Sequence, residues 1–102
     1  MDKQIDLTEY NKLKRMLDEA GIPYEEYVRP YFKEMKHYQL IYPCDGPSRK
    51  SDVVIGFGTY GWEQGLLEQM GLLEEPAVYN DVQGWLRSED VFKRWSEDFI
   101  KE

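Results

Sequence analysis

Two amphipathic segments bracket the chain, and together they restrict what the middle of it can be. Over residues 7–20, Tyr10, Leu13, Met16, Leu17 and Ala20 fall on one stripe of a 3.6-residue period. A helix is predicted there, with Asp6 (Glu9 following three residues later) or Thr8 as its N-cap and Gly21 before Ile22-Pro23 as its left-handed stop. The second begins at Ser88-Glu89-Asp90, whose acids suit the positive end of a helix dipole, and runs to about Ile100. Its apolar face is Val91, Phe92, Trp95, Phe99 and Ile100. Each helix must bury its stripe, and 102 residues make one domain, 1–102, so the residues between have to supply the partner surface.

Those residues are β-prone in short pieces. Tyr38–Tyr42 and Asp52–Phe57 flank the turn formers Pro43-Cys44-Asp45-Gly46-Pro47-Ser48, most simply as an antiparallel hairpin with Arg49 and Lys50 solvated in its loop. Val82–Leu86 reads as a brief strand. Leu66–Met70 reads as a short strand or a helix, the helix weakened by Gly65 and Gly71 at about 1 kcal/mol each. Tyr24–Arg29 is expected to be extended, with Pro30 opening a short helical turn through Lys36. The expected fold is α+β: a small antiparallel sheet of three to four short strands, with an N-terminal and a C-terminal helix packed on it.

Charge is unevenly placed. Residues 1–60 hold 10 acids and 9 bases, whereas residues 61–102 hold 10 acids and 4 bases, within a net charge of −7. From Ser51 to Leu86 there is no Lys or Arg, yet Asp52, Glu63, Glu68, Glu74, Glu75 and Asp81 lie in that span. Such a surface repels phosphates, so direct nucleic-acid binding is disfavoured and a basic protein partner is favoured. No apolar run approaches the roughly 18 residues of a membrane span, and the N-terminus has no basic-then-apolar leader pattern, so a cytoplasmic location is expected. One cysteine, Cys44, excludes an internal disulfide and a multi-thiolate zinc site.

The sharpest motif is Gly56-Phe57-Gly58-Thr59-Tyr60-Gly61, which satisfies G-x-G-x-x-G after a strand, with Asp81 20 residues beyond Gly61. A dinucleotide site would need a helix N-terminus after it, and Gly65, Gly71 and the carboxylate of Glu63 oppose that. A glycine-rich turn or a contact loop carrying Tyr60 and Trp62 fits better. Nucleophilic chemistry would rest on Cys44 with His37, the sole histidine, and no third group marks such a pair. The acidic pairs Glu25-Glu26, Glu74-Glu75, Glu89-Asp90 and Glu97-Asp98 have solvent or capping roles. No catalytic constellation, cofactor or metal site is implied, and the chain is not expected to be an enzyme.

Aromatic residues number 8 Tyr, 4 Phe and 3 Trp, more than a small core needs. Trp85, Phe92, Trp95 and Phe99 are placed where strand and helix face each other; Tyr24, Tyr27, Tyr31, Tyr38, Tyr42 and Tyr60 are too many for the same core, which leaves rings for an interface.

The segments Leu17–Glu25 (LDEAGIPYE), Ile41–Pro43, Thr59–Gly61, Glu63–Leu73 (EQGLLEQMGLL) and Gly84–Trp95 (GWLRSEDVFKRW) resemble small proteins of phages and prophages in Gram-positive bacteria. The resemblance covers most of the chain, is least around Pro30–Lys36, and carries a genomic setting but no functional residues. It implies a small acidic interaction protein that binds and inhibits a host or defence-system protein, in an anti-CRISPR or similar counter-defence role. The expected contacts are Tyr60, Trp62, Glu63, Glu68, Glu74, Glu75 and Asp81, with carboxylates standing in for phosphates on a basic nucleic-acid-binding surface. A homodimer is compatible with this. The rival from a different class is a binder that sequesters a nucleotide second messenger, stacking bases on aromatic rings and holding phosphates with the amides of Gly56, Gly58 and Gly61. A Cys44/His37 enzyme is the third.

Overall fold

In the computed structural model, which describes residues 5–31, 35–73 and 81–101, the first helix, α1, spans Thr8–Ala20. Its end is built as its sequence dictates: Gly21 takes φ 70°, and the amides of Gly21 and Ile22 donate back to the carbonyls of Asp18 and Leu17, a Schellman closure. Its start differs from expectation. Leu7 occupies the cap position, and Asp6 Oδ1 accepts the Thr8 amide at 3.0 Å. No capping box with Glu9 forms, because Glu9 Oε1 instead accepts the amide and hydroxyl of Ser88 at 2.7 and 2.9 Å. One carboxylate thus ties α1 to the first turn of the second helix, α2, Ser88–Lys101. That turn is also held by Asp90 Oδ2, which accepts the Arg87 amide at 2.9 Å.

Between the helices lie β1 (Glu25–Pro30), β2 (Lys36–Tyr42), β3 (Ser51–Ile55), β4 (Leu67–Met70) and β5 (Val82–Leu86), antiparallel and adjacent in chain order. The α+β class is as expected, but among the described residues the strands number five rather than three to four. The strand hardest to read is β1, because five of its six residues are exposed and no apolar alternation marks it. Pro30 closes this strand rather than opening a helical turn, which a sheet edge tolerates. The Tyr31 amide donates to the Met35 carbonyl at 2.9 Å, bringing the chain back into β2; residues 32–34 of the expected turn lie outside the described residues. The 62–73 stretch resolves as a 3-10 turn, Trp62–Gln64, followed by β4.

Alternation along the strands places Leu40, Tyr42, Val53, Ile55, Leu67 and Leu86 on one face, against Tyr10, Leu13 and Leu17 of α1 and Val91 and Trp95 of α2. Each such side chain contributes about 1.5–3 kcal/mol by leaving water. Within this core the Trp95 indole donates to Ser51 Oγ at 2.9 Å, and Ser51 Oγ donates to the Met70 carbonyl at 2.7 Å. Buried Gln69 completes the network, donating to the Gly71 carbonyl at 2.9 Å and accepting from Arg94 Nη1 at 3.0 Å. These bonds fix α2 to β3 and β4. Phe99 and Ile100, expected in the core, are exposed; what anchors the last turn of α2 is Asp98, which accepts from the Tyr42 hydroxyl at 2.7 Å and Lys50 at 2.9 Å. Among the described residues, no helix is long and apolar enough to cross a membrane.

Candidate functional site

A meander of five strands brings the end of β1, the start of β2, the end of β3, the start of β4 and the end of β5 to one side of the sheet. Aromatic residues from all these places collect there. Tyr31 stacks on the His37 imidazole with centroids 4.4 Å apart, and Phe57 lies 6.0 Å from Tyr31 and 5.3 Å from Trp62. His37 Nε2 donates to the Phe57 carbonyl at 2.8 Å, which fixes the ring. Across the loop, Tyr60 and Trp85 stack at 5.5 Å with 12° between their planes. The backbone braces that pair: the Trp85 amide donates to the Tyr60 carbonyl at 3.3 Å, and the Tyr60 amide donates to Glu68 Oε1 at 2.8 Å.

The glycines of this region make room for rings. A Cβ on Gly56 would stand 2.2 Å from the His37 ring, and one on Gly84 would stand 2.1 Å from Tyr60 Cβ. No α-helix follows the G-x-G-x-x-G run; a three-residue 3-10 turn leads into β4, which returns beside β3, and the Gly56 amide already donates to Thr59 Oγ1 at 3.1 Å. Gly61 seats against the backbone of Trp85, while Gly58 has open space where its Cβ would be.

Trp85 departs furthest from expectation. Expected where strand and helix face each other, it is instead 58% exposed. The cause is a bulge: Leu67 pairs with Leu86 and Gln69 with Gln83, so β5 spends one residue more than β4 between these pairs. Trp85 absorbs the irregularity with φ 56°, a left-handed conformation that costs an L-residue about 1–2 kcal/mol. Tyr60, its stacking partner, is 53% exposed. A large ring held outward on a strained backbone is the kind of feature found at functional sites.

The acidic residues do not follow the aromatic ones into a single row. Glu68 lies beside Tyr60, and Glu63 belongs to the 3-10 turn. Asp81 precedes β5 at the opposite end from Trp85, where its carbonyl accepts the Gly71 amide at 3.4 Å. Glu74 and Glu75 lie outside the described residues. Asp52 is buried and has internal partners, Arg49 at 3.1 Å and Gln39 Nε2 at 2.9 Å; Arg49 and Lys50 are therefore ion-paired rather than simply solvated. His37 and Cys44 also part company. One is at the start of β2 and the other beyond its end, so at 3.3–3.4 Å per residue the strand alone separates them by roughly 17 Å. That distance removes the Cys/His pair.

A second concavity, a groove of about 360 Å³, lies between α1 and β1 and is lined by Asn11, Lys14, Arg15, Asp18, Tyr24 and Glu26. Its groups are largely paired. Burial raises the Tyr10 phenol well above its ordinary value, assisted by its hydrogen bond to Glu26. Burial also pushes the Glu26 carboxyl upward, but hydrogen bonds from Tyr10 and Lys14 outweigh it and hold Glu26 below the usual carboxylate value. Tyr24 is pushed up to about 12 by burial and its bond to Asp18.

Of the residues gathered at the aromatic end, Tyr60, Trp62, Glu63 and Glu68 were named from sequence. Tyr31 is one of the six tyrosines left over from the core and His37 is expected only as a partner of Cys44, whereas Phe57 and Trp85 carry no contact signal beyond an aromatic side chain near a glycine or a strand end. No protein-family model, curated protein or solved structure matches the chain.

Proposed function

We propose that the chain is a protein-binding module whose contact surface is the aromatic end of the sheet, centred on the Tyr60–Trp85 stack. The observation that carries this reading is Trp85: a bulky, 58%-exposed ring on a backbone at φ 56°, where folding alone favours glycine. Tyr and Trp rings are the usual anchors of protein interfaces, burying much area with little rotamer loss. Glu63 and Glu68 beside them, in a span without Lys or Arg, favour a partner presenting arginine or lysine, whose cations also suit the faces of Trp85 and Tyr60. The resemblance to phage and prophage proteins supplies the biological form of the proposal: a counter-defence inhibitor that occupies the basic surface of a host or defence protein in the cytoplasm, without catalysis. Aromatic anchoring carries more of the binding in this reading than a row of phosphate-mimicking carboxylates, because Asp52 is internally paired and Asp81 stands at the other end of β5. A nucleotide ligand is less favoured, since Glu63 and Glu68 would face its phosphates.

The test is affinity capture from host lysate with the parent chain, Trp85→Ala, Tyr60→Ala and the distant control Ile100→Ala. A partner retained by the parent and the control but lost by both aromatic variants is the expected result, with affinity falling about 30-fold or more for a central anchor. Equal capture by all four proteins would remove the aromatic end from consideration.

A further inference from the structure

We infer that a second copy of this chain adds to the free edge of β1, forming a two-fold dimer in one defined register. The outer edge of β1 pairs with no strand among the described residues, and Val28 at its middle is 47% exposed. Which backbone groups face outward follows from the hairpin. Tyr31 lies opposite Met35 and donates to its carbonyl, so the register makes Arg29–His37, Tyr27–Gln39 and Glu25–Ile41 the hydrogen-bonded pairs of β1 with β2. The amides and carbonyls of Glu26 and Val28, together with the Pro30 carbonyl, therefore point away from the sheet.

A two-fold axis normal to the sheet keeps both sets of helices on one side and pairs residues that share a face. Four registers satisfy this parity near the strand centre, and centring on Arg29 sets the two Arg29 side chains opposite each other, a like-charge pair. Centring on Glu26 sets the two Glu26 side chains opposite each other, a like-charge pair. Centring on Val28 puts Pro30, which has no amide, in a hydrogen-bonding position. Centring on Tyr27 avoids the like-charge pairs and moves Pro30 to the end of the ladder, opposite Tyr24, which lies outside β1. Glu26 then exchanges both backbone bonds with Val28 of the second copy, and Tyr24 meets the Pro30 carbonyl. On the helix-free face Glu25 stands opposite Arg29 of the second copy, twice by symmetry, with the two Tyr27 rings between them. Within one chain these three side chains already contact each other, Tyr27 donating to Glu25 Oε1 at 3.1 Å and the Arg29 guanidinium lying 4.9 Å from the Tyr27 ring centre. The complementarity of Glu25 and Arg29 is what selects a second copy as the occupant. Because β1 and β5 are opposite edges, the product is one sheet of ten strands with a Tyr60–Trp85 stack toward each outer end, a bivalent arrangement.

Sedimentation of the full chain over a concentration series reads the association. The dimer is expected, with Glu25→Arg and Arg29→Glu each weakening it about tenfold or more and the double variant E25R/R29E returning to within about threefold of the parent. Register is read by oxidative cross-linking in a Cys44→Ala background: Tyr27→Cys meets itself at a non-hydrogen-bonded pair and forms a disulfide dimer, whereas Val28→Cys, opposite Glu26, does not. A monomer at every concentration, a dimer indifferent to both charge reversals, or cross-linking of Val28→Cys in preference to Tyr27→Cys would each overturn the assignment. So would an edge that takes up an extended peptide from another protein while the chain itself stays monomeric.

Discussion

Replacing Trp85 by alanine and by glycine separates what its ring contributes from what its backbone costs. Both variants remove the stack with Tyr60, a pair worth about 0.5–1.5 kcal/mol. They differ only at a backbone held at φ 56°. Alanine retains the left-handed penalty of about 1–2 kcal/mol, and glycine escapes it. Against this, glycine loses about 0.5–1 kcal/mol more chain entropy on folding. The balance makes Trp85→Gly more stable than Trp85→Ala by about 0.5–1 kcal/mol, the reverse of the order at an ordinary strand position. In a domain of this size that is about 2–6 °C in melting temperature, with Trp85→Ala about 1 kcal/mol below the parent chain. Urea unfolding of the three proteins, at equal m-values, measures it. An alanine variant as stable as the glycine variant, or more so, would mean that no strain is stored at Trp85, and the case for selection of an outward ring there would fall.

Three further outcomes are expected. Ser51→Ala strips the Trp95 indole of its buried acceptor and should lower the unfolding free energy by about 2 kcal/mol in urea; adding Trp95→Phe should cost less than the sum of the separate changes, because the orphaned N–H goes with the ring. Glu9→Ala removes the acceptor of two Ser88 donors and should cost about 1 kcal/mol, comparable to the loss of a helix cap, in the same assay. The Asp98 carboxyl is held below its ordinary value first by the Tyr42 hydroxyl and then by Lys50. Its folded value lies under its unfolded one, so its contribution is present above roughly pH 4 and is lost as pH falls through the folded value; Asp98→Asn should flatten the acid limb of stability against pH, and an unchanged limb would contradict this.

The helices were legible because their signals are local: Tyr10, Leu13 and Leu17 share a stripe, and Gly21 needs only its own φ to end α1. β1 was only half legible, since an edge strand with five exposed residues gains its order from pairing with β2 rather than from burial. Trp85 was misplaced because one inserted residue changes the direction of a strand side chain, and the bulge exists only relative to β4. The acidic span was read as a unit because its members are near in sequence. An antiparallel sheet sends Asp81 and Trp85 to opposite ends of the same short strand, so chain proximity misled there. In the same way His37 and Cys44, close in sequence, are held apart by the extended strand between them. The glycine run showed its turn character correctly, but its purpose, admitting the His37 ring at Gly56, depends on a strand partner across the sheet.

The three tryptophans offer the most direct test of the aromatic end as the binding surface. Their indole N–H groups give separate signals in a ¹⁵N–¹H correlation spectrum, and they report three environments: Trp85 exposed, Trp62 at the edge of the core, and Trp95 buried and bonded to Ser51. On titration with the captured partner the Trp85 signal should shift or broaden first and most, with Trp95 unmoved. A saturated complex in which the Trp85 indole keeps its free position would contradict the central claim.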